Sequence, residues 1–325
     1  MIQKKCLISV CLLALVGAGI LIGRDTKKME SKCTEKEYSH INPHLACDEK
    51  PVVSKASYDL FTEKIKKYIE VEKAADSVTD AAVFFRDLEQ GPTFGIKEDE
   101  RFISASLLKL PVVMTYYKLA ESNPTILDQM VQYEKKEGEW TQAYKSTQQS
   151  KPMTPYSIRE LLGFAVIDSD NDATEALLES LKSLYPNQNP VLSTYRDLGL
   201  IAPTDYIHTN DITPRGYASL FRLLYNVSYL DRNYSEELLG LLSKGTFDDG
   251  LKAGLPKDIQ VANKFGERSG LEGGQKQLHD CGIIYYPDNP YLLCIMTRGY
   301  NFKELSRVIS NISKMVYEEV DGRRQ

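Results

Sequence analysis

Ser106 and Lys109 stand in the apolar run SASLLKLP, at positions i and i+3. On a helix those positions share a face, so an amine at 109 reaches a hydroxyl at 106. An ammonium buried beside other cations loses proton affinity, and the neutral amine can then accept the proton of a serine attacking a carbonyl. The competing reading is an N-terminal cap with a solvated lysine, and a lone Ser-x-x-Lys is a weak signal that recurs by chance. Pro111 has no backbone N–H and fits only a helix's first turn, so the helix is expected to begin near Ser106 or to bend there. A start there aims backbone amide dipoles at the serine.

Two further clusters could join this pair. Ser169-Asp170-Asn171 interrupts LLGFAVIDSDNDATEALL, where apolar segments on both sides fix a polar triplet on a loop or helix junction. An Asn amide can both donate to and accept from a substrate amide, and a second serine could relay a proton. The plain alternative is an N-cap, from Asp170, Asn171 or Asp172, for a helix starting near Ala173. Lys264-Phe265-Gly266 ends the strand-like run IQVANKF. There an ammonium can meet an anion and a glycine lets a substrate approach the backbone, although a strand end followed by a turn explains the same residues.

These clusters need elements to hold them. Apolar residues at helical spacing run from Tyr58 to Lys73, and AAVFFRDL then changes to a strand pattern, with a Gly91-Pro92 turn and the short run TFGI. Roughly 104 to 245 reads as helices joined by polar loops. The strand patterns IQVANKF, CGIIYY and YLLCIM follow, and an amphipathic helix spans Phe302 to Glu319. The fold expected is therefore α/β of the α+β kind: a five-stranded antiparallel sheet, flanking terminal helices and a central helical subdomain, with a cleft where sheet and subdomain meet. The glycine-rich RSGLEGG lacks a P-loop lysine and reads as a strand connection.

The chain has 325 residues, 42% of them hydrophobic, which is enough for a substantial core. Its 40 basic and 45 acidic side chains give a formal net charge of -5, with no basic stripe that would attract nucleic acid. Residues 1–23 hold Lys4 and Lys5 ahead of a largely apolar run from Leu7 to Gly23. As a helix that run would measure about 26 Å against a bilayer core of about 30 Å. Both an uncleaved membrane anchor and a cleaved signal peptide fit it, and either makes the protein extracytoplasmic, anchored or secreted. Residues 24–57 are polar and broken by Pro43 and Pro51, as suits a linker, and 58–322 form the expected domain. Export permits disulfides among the six cysteines; Cys33 and Cys47 are one candidate pair, while Cys281 and Cys294 fall on neighbouring strand patterns as a pair or as buried thiols. The four histidines lack metal-ligand spacing, so no metal and no cofactor is expected.

Taken in order, S-x-x-K, S-D-N and K-x-G on a late strand resemble the serine penicillin-recognising enzymes, and class A β-lactamases in particular. The separations, 63 residues from Ser106 to Ser169 and 95 from Ser169 to Lys264, are similar to that family's. DITPRGYASLFRLLYN and DDGLKAGLPKDIQVANKFGE also resemble it, and the likeness extends from about Tyr58 to Val320. It implies a β-lactamase/transpeptidase-like fold and a monomer acting on a β-lactam or a D-Ala-D-Ala peptide. Ser106 is then the nucleophile, Lys109 its proton acceptor and Ser169 the relay to the departing nitrogen. Asn171 holds the substrate's side-chain amide, and Lys264 sets positive charge near Ser169 and the substrate carboxylate. Gly266 lets the substrate approach, and the amides of Ser106 and Glu267 form an oxyanion hole.

Two departures stand out. Phe265 replaces the family's threonine and removes a hydroxyl able to bind the substrate carboxylate. The segment GLIAPTDYIHTNDITP lacks the E-x-x-L-N stretch whose glutamate positions the deacylating water. Asp205 and His208 lie in it as the available substitutes, and Trp140 and Tyr144 precede the second motif either as substrate-flanking aromatics or as core. A β-lactamase, a D,D-peptidase and a non-hydrolytic penicillin sensor all fit this sequence.

Overall fold

A computed structural model describes residues 38–45, 58–89, 91–134, 142–146, 148–200 and 211–323. Residues 37–42 and 49–325 form one compact unit that carries every element below; the second unit, 1–36 and 43–48, lies almost wholly outside the described residues. The expectations for residues 1–23, Cys33, Cys47, Trp140, Asp205 and His208 all fall outside them. Among the described residues no helix is long and apolar enough to cross a membrane.

Helix α1 (Asp59–Ala74) leads into the hairpin β1 (Asp80–Asp87) and β2 (Thr93–Ile96). The short strand β3 (Phe102–Ile103) precedes a 3₁₀ turn, Ala105–Leu108, that runs directly into α2 (Lys109–Ala120). Strands β4 (Met130–Val131) and β5 (Tyr156–Ser157) pair with each other. Helices α3 (Ile158–Ile167), α4 (Asn171–Leu184) and α5 (Pro190–Asp197) follow; then come β6 (Asp211–Ile212), α6 (Pro214–Tyr225) and α7 (Arg232–Leu242). The meander β7 (Val261–Arg268), β8 (Lys276–Ile284) and β9 (Tyr291–Gly299) and the closing helix α8 (Phe302–Gly322) complete the chain.

The main sheet runs β2-β1-β9-β8-β7, antiparallel at every junction, so the last strand of the chain pairs with the first. Strand β9 is buried over almost its whole length, because helices cover both faces of the sheet: α8 lies against β8 and β9, and α6 against β1, β8 and β9. The apolar stripe of α8 (Leu305, Val308, Ile309, Ile312, Val316) is fully or almost fully buried; each such side chain contributes roughly 1.5–3 kcal/mol. Cys281 and Cys294 are register partners across β8 and β9 and are joined by a disulfide.

Two sequence boundaries are corrected. Strand β7 does not end at Lys264-Phe265-Gly266 but continues to Arg268, because Glu267 and Arg268 still pair with Leu278 and Gln277. Strand β8 begins at Lys276 rather than at Cys281, since its polar residues Gln277, His279 and Asp280 are buried instead of marking a loop. The polar stretch expected as linker is docked in part: Glu236 on α7 accepts the backbone N–H groups of Ser39, His40 and Ile41 at 2.8, 2.8 and 3.0 Å.

Candidate active site

The nucleophile candidate sits on the tightest part of the backbone. In a 3₁₀ helix positions i and i+3 eclipse. Ser106, within the turn, therefore stands above Lys109, the first residue of α2. Pro111 falls in the first turn of α2, where its missing N–H breaks no helical hydrogen bond, as its position in the sequence implied. Ala105, just ahead of the serine, has φ 49°, a left-handed conformation that a non-glycine residue holds only under constraint. Ser106 is half-buried, and among the described residues its hydroxyl makes no hydrogen bond. Lys109 is buried.

The second motif is fixed by its own central residue. Asp170 caps α4, accepting from the Ala173 N–H at 3.1 Å, and its other oxygen accepts from Ser150 N and Oγ at 2.6 and 2.7 Å. Of the three candidate caps the structure uses Asp170, which leaves the Ser169 and Asn171 side chains to face the lysines. With Asp170 locked, Ser169 adopts φ 53° and is fully buried, and Asn171 opens the helix half-buried.

Both lysines converge on Ser169. Lys109 Nζ donates to Ser169 Oγ at 3.2 Å, to Asn171 Oδ1 at 2.6 Å and to the Ser169 carbonyl. Lys264 Nζ, reaching in from β7, donates to Ser169 Oγ at 2.8 Å and to the Phe265 carbonyl at 2.9 Å. A serine oxygen has two lone pairs and one hydrogen. With both lone pairs taken by lysine N–H donors, the Ser169 hydrogen is left as the group to be given away.

Burial sets the proton affinities. It pushes Lys109 down to about 7, against the opposing pull of the Asp170 and Glu267 carboxylates. Burial also lowers Lys264 well below the ordinary lysine value, and the neighbouring Lys109 charge lowers it further. Behind them Asp280 on β8 is pushed up to about 6 by burial, although the Leu251 N–H and the Asn263 amide hydrogen-bond it at 2.8 and 2.9 Å. Asp168 is raised by burial while its carboxylate accepts from Ser146 Oγ at 2.5 Å.

The edge strand β7 closes the site against the nucleophile's turn. A Cβ on Gly266 would come within 3.0 Å of the Ser104 carbonyl oxygen and 3.1 Å of Leu107 N, so any larger residue would press the nucleophile's turn back by a few tenths of an ångström. That is a structural reason for Gly266, in addition to the substrate contact expected of it. Glu267 follows, its backbone on the free edge of the sheet. Its carboxylate accepts from Ala143 N at 2.9 Å and Tyr144 N at 3.0 Å, an attachment the sequence did not signal. Gln142 Nε2 donates to the Ser169 carbonyl at 3.2 Å, so residues 142–144 span from the second motif to the third.

Phe265 belongs to an aromatic cluster. Its ring stacks on Phe247 at 4.2 Å, with Tyr144 edge-on to Phe247 at 4.9 Å, and Lys264 Nζ lies 4.6 Å from the Phe265 centroid. The substitution for threonine exchanges a hydroxyl for a packed ring that faces the ammonium. Of the two readings of Tyr144, packing is the one observed: its ring also meets Phe302, and its hydroxyl donates to the Phe302 carbonyl at 3.2 Å.

Fold and site together define a serine acyl-transfer hydrolase. Residues 60–320 match the Beta-lactamase enzyme family, so the chain belongs to that family and is a serine hydrolase of β-lactamase type. Among curated relatives it is 23% identical to the β-lactamase SME-1 of Serratia marcescens, over 74% of this chain and 83% of the relative. It is 26% identical to the β-lactamase AST-1 of Nocardia asteroides, over 68% and 73%. A mutant of PBP-A, solved as an acyl-enzyme complex with penicillin G, superimposes with a TM-score of 0.68 at 21% identity, covering 84% of this chain and all 100% of that one. A class A β-lactamase from Mycobacterium abscessus does so with a TM-score of 0.65 at 22% identity, over 79% and 99%. These likenesses bear out the expected fold.

Proposed function

We propose that this chain opens β-lactam rings through an acyl-enzyme on Ser106, and that release of the acyl group is its slow step. Lys109 takes the Ser106 Oγ proton as the oxygen bonds to the lactam carbonyl carbon. An amine held near pH 7 is neutral often enough to accept it and, once protonated, acidic enough to return it. The tetrahedral oxyanion is received by the backbone amides of Ser106 and Glu267; a donor in such a hole is worth roughly 3–4 kcal/mol. As the C–N bond breaks, the Ser169 hydrogen passes to the departing nitrogen and Ser169 is reprotonated from Lys109, while Lys264 holds the serine oxygen. With its Oδ1 taken by Lys109, Asn171 keeps its amide hydrogens for the substrate's side-chain amide. Water then cleaves the ester and restores Ser106.

The observation that carries this reading is the shared contact of Lys109 and Lys264 on Ser169 Oγ, with Lys109 itself one helical turn from Ser106. A chromogenic cephalosporin tests it: turnover with transient acylation mapped to Ser106 is expected, and neither turnover nor adduct would refute it. The likeness to PBP-A and the absence of glutamate from 199–214 favour a second reading, a D,D-peptidase on the same residues. For that reading a D-Ala-D-Ala peptide must be cleaved faster than any lactam. Residues 1–23 fit a further proposal, an extracytoplasmic enzyme tethered or exported by that segment; fractionation of the full chain with membranes or medium rather than cytosol tests it.

A further inference from the structure

The turn that carries Ser106 is strained at Ala105, and strain of that kind, on the order of 1–3 kcal/mol, persists only where the surroundings over-determine it. The surroundings can be named. Ile103, the last residue of β3 and the register partner of Asp211 on β6, has both of its backbone polar groups bound by side chains as well. Gln277 Oε1 accepts the Ile103 N–H at 3.0 Å, and His279 Nε2 lies 3.0 Å from the Ile103 carbonyl oxygen. A carbonyl only accepts, so Nε2 carries the hydrogen and the tautomer is set.

Gln277 and His279 are two apart on β8 and therefore project from the same face of the sheet. They are 4% and 0% exposed, a burial that polar side chains tolerate only when engaged. His279 is the register partner of Gly266, and the Phe102 ring packs edge-on against its imidazole at 5.4 Å. On its far side the turn is held by Tyr217, whose hydroxyl donates to the Leu107 carbonyl at 3.1 Å, and by the close approach of Gly266. The backbone before Ala105 is thus fixed by β8 side chains together with the β6 pairing, and the backbone after Ser106 by α6 and β7.

We propose that Gln277 and His279 are positioning residues for the nucleophile: by gripping both backbone groups of Ile103 they hold the Ala105 turn that sets Ser106 Oγ over Lys109. This rests on Ser106 being the acylated serine. The two side chains touch neither substrate nor reacting atoms, so their effect should appear in the acylation step and not in binding. A displacement of about 1 Å at an attacking atom can lower a rate about 100-fold.

The experiment measures the first-order acylation constant and the noncovalent dissociation constant for a chromogenic cephalosporin by stopped flow, with thermal unfolding in parallel. Gln277→Met and His279→Met keep side-chain length without the acceptor or the donor. His279→Gln keeps an N–H near the position of Nε2. Expected are a fall in acylation of about 10- to 100-fold in both methionine variants with less than about a threefold change in dissociation constant, and near-wild-type acylation in His279→Gln. Unaltered acylation of the folded methionine variants, with only the unfolding temperature lowered, would overturn the proposal, as would His279→Gln as slow as His279→Met. If one methionine variant fails to fold, the other reads the same grip from its own hydrogen bond, and the contrast between His279→Gln and wild type still decides. A wild-type protein that forms no adduct at Ser106 refutes the parent reading instead, and peptide mapping separates the two failures.

Discussion

Residues 104–109, 169–171 and 264–267 place two hydroxyls, two amines and a carboxamide in mutual contact or one helical turn apart, with the capping Asp170 and the glycine at 266 helping to hold them. Residues 199–214, which separate the second cluster from the third, contain Asp205, Asp211 and His208 and no glutamate. The first region has every group that the proposed acylation asks for. The second lacks the residue type the family uses to activate the deacylating water. On the proposed mechanism, forming the ester and releasing it draw on separate stretches of this chain, and one can be complete while the other departs.

The largest effect should come from the nucleophile. Ser106→Ala is expected to abolish adduct formation and lower turnover by about 10³-fold or more, read by intact mass and cephalosporin hydrolysis. Lys109→Met should slow acylation by about 10²- to 10⁴-fold while leaving the fold intact. The wild-type pH dependence sharpens this. Since the neutral amine is the base, acylation should rise with pH through about 7, and the limb should vanish in Lys109→Met. The same depressed affinity acts on stability. From about pH 7 up to the ordinary lysine value the unfolded chain binds the proton and the folded one does not, so Lys109 makes the fold gain stability as pH rises through that window.

Smaller effects separate the two stretches. A burst of product equal to one per enzyme, followed by a steady state at least about tenfold slower, is expected in wild type with a chromogenic cephalosporin. A linear progress curve without a burst would place release on the fast side and dissolve the contrast. Least of all, Glu267→Gln removes one of the two carboxylates that support the Lys109 charge, so the acylation limb should move to lower pH by less than about one pH unit. A move to higher pH would assign Glu267 some other electrostatic role.

Much of this is legible in the amino-acid sequence itself. The strand patterns at both ends and the helical centre carried the sheet, because alternation and long apolar runs are direct records of burial. Residue type and order single out Ser106, Lys109, Ser169, Asn171 and Lys264, and the last four meet in the structure. What was not legible depended on polar groups buried by neighbours remote in sequence. KQLHD lies outside the strand pattern CGIIYY, yet Gln277, His279 and Asp280 are buried within β8, each with a backbone or side-chain partner far away along the chain. Glu267 was read for its backbone amide; that its carboxylate fastens Ala143 and Tyr144 follows from a loop position no periodicity encodes. Whether Asp170 or its neighbours capped α4 was likewise decided by Ser150, which holds the carboxylate from the other side.

The most direct test is a time course of intact mass after mixing the protein with benzylpenicillin, with the labelled peptide mapped. The account predicts a single covalent adduct on Ser106 that forms faster than it decays and is absent from Ser106→Ala. No adduct, or an adduct on another residue in wild type, would contradict it.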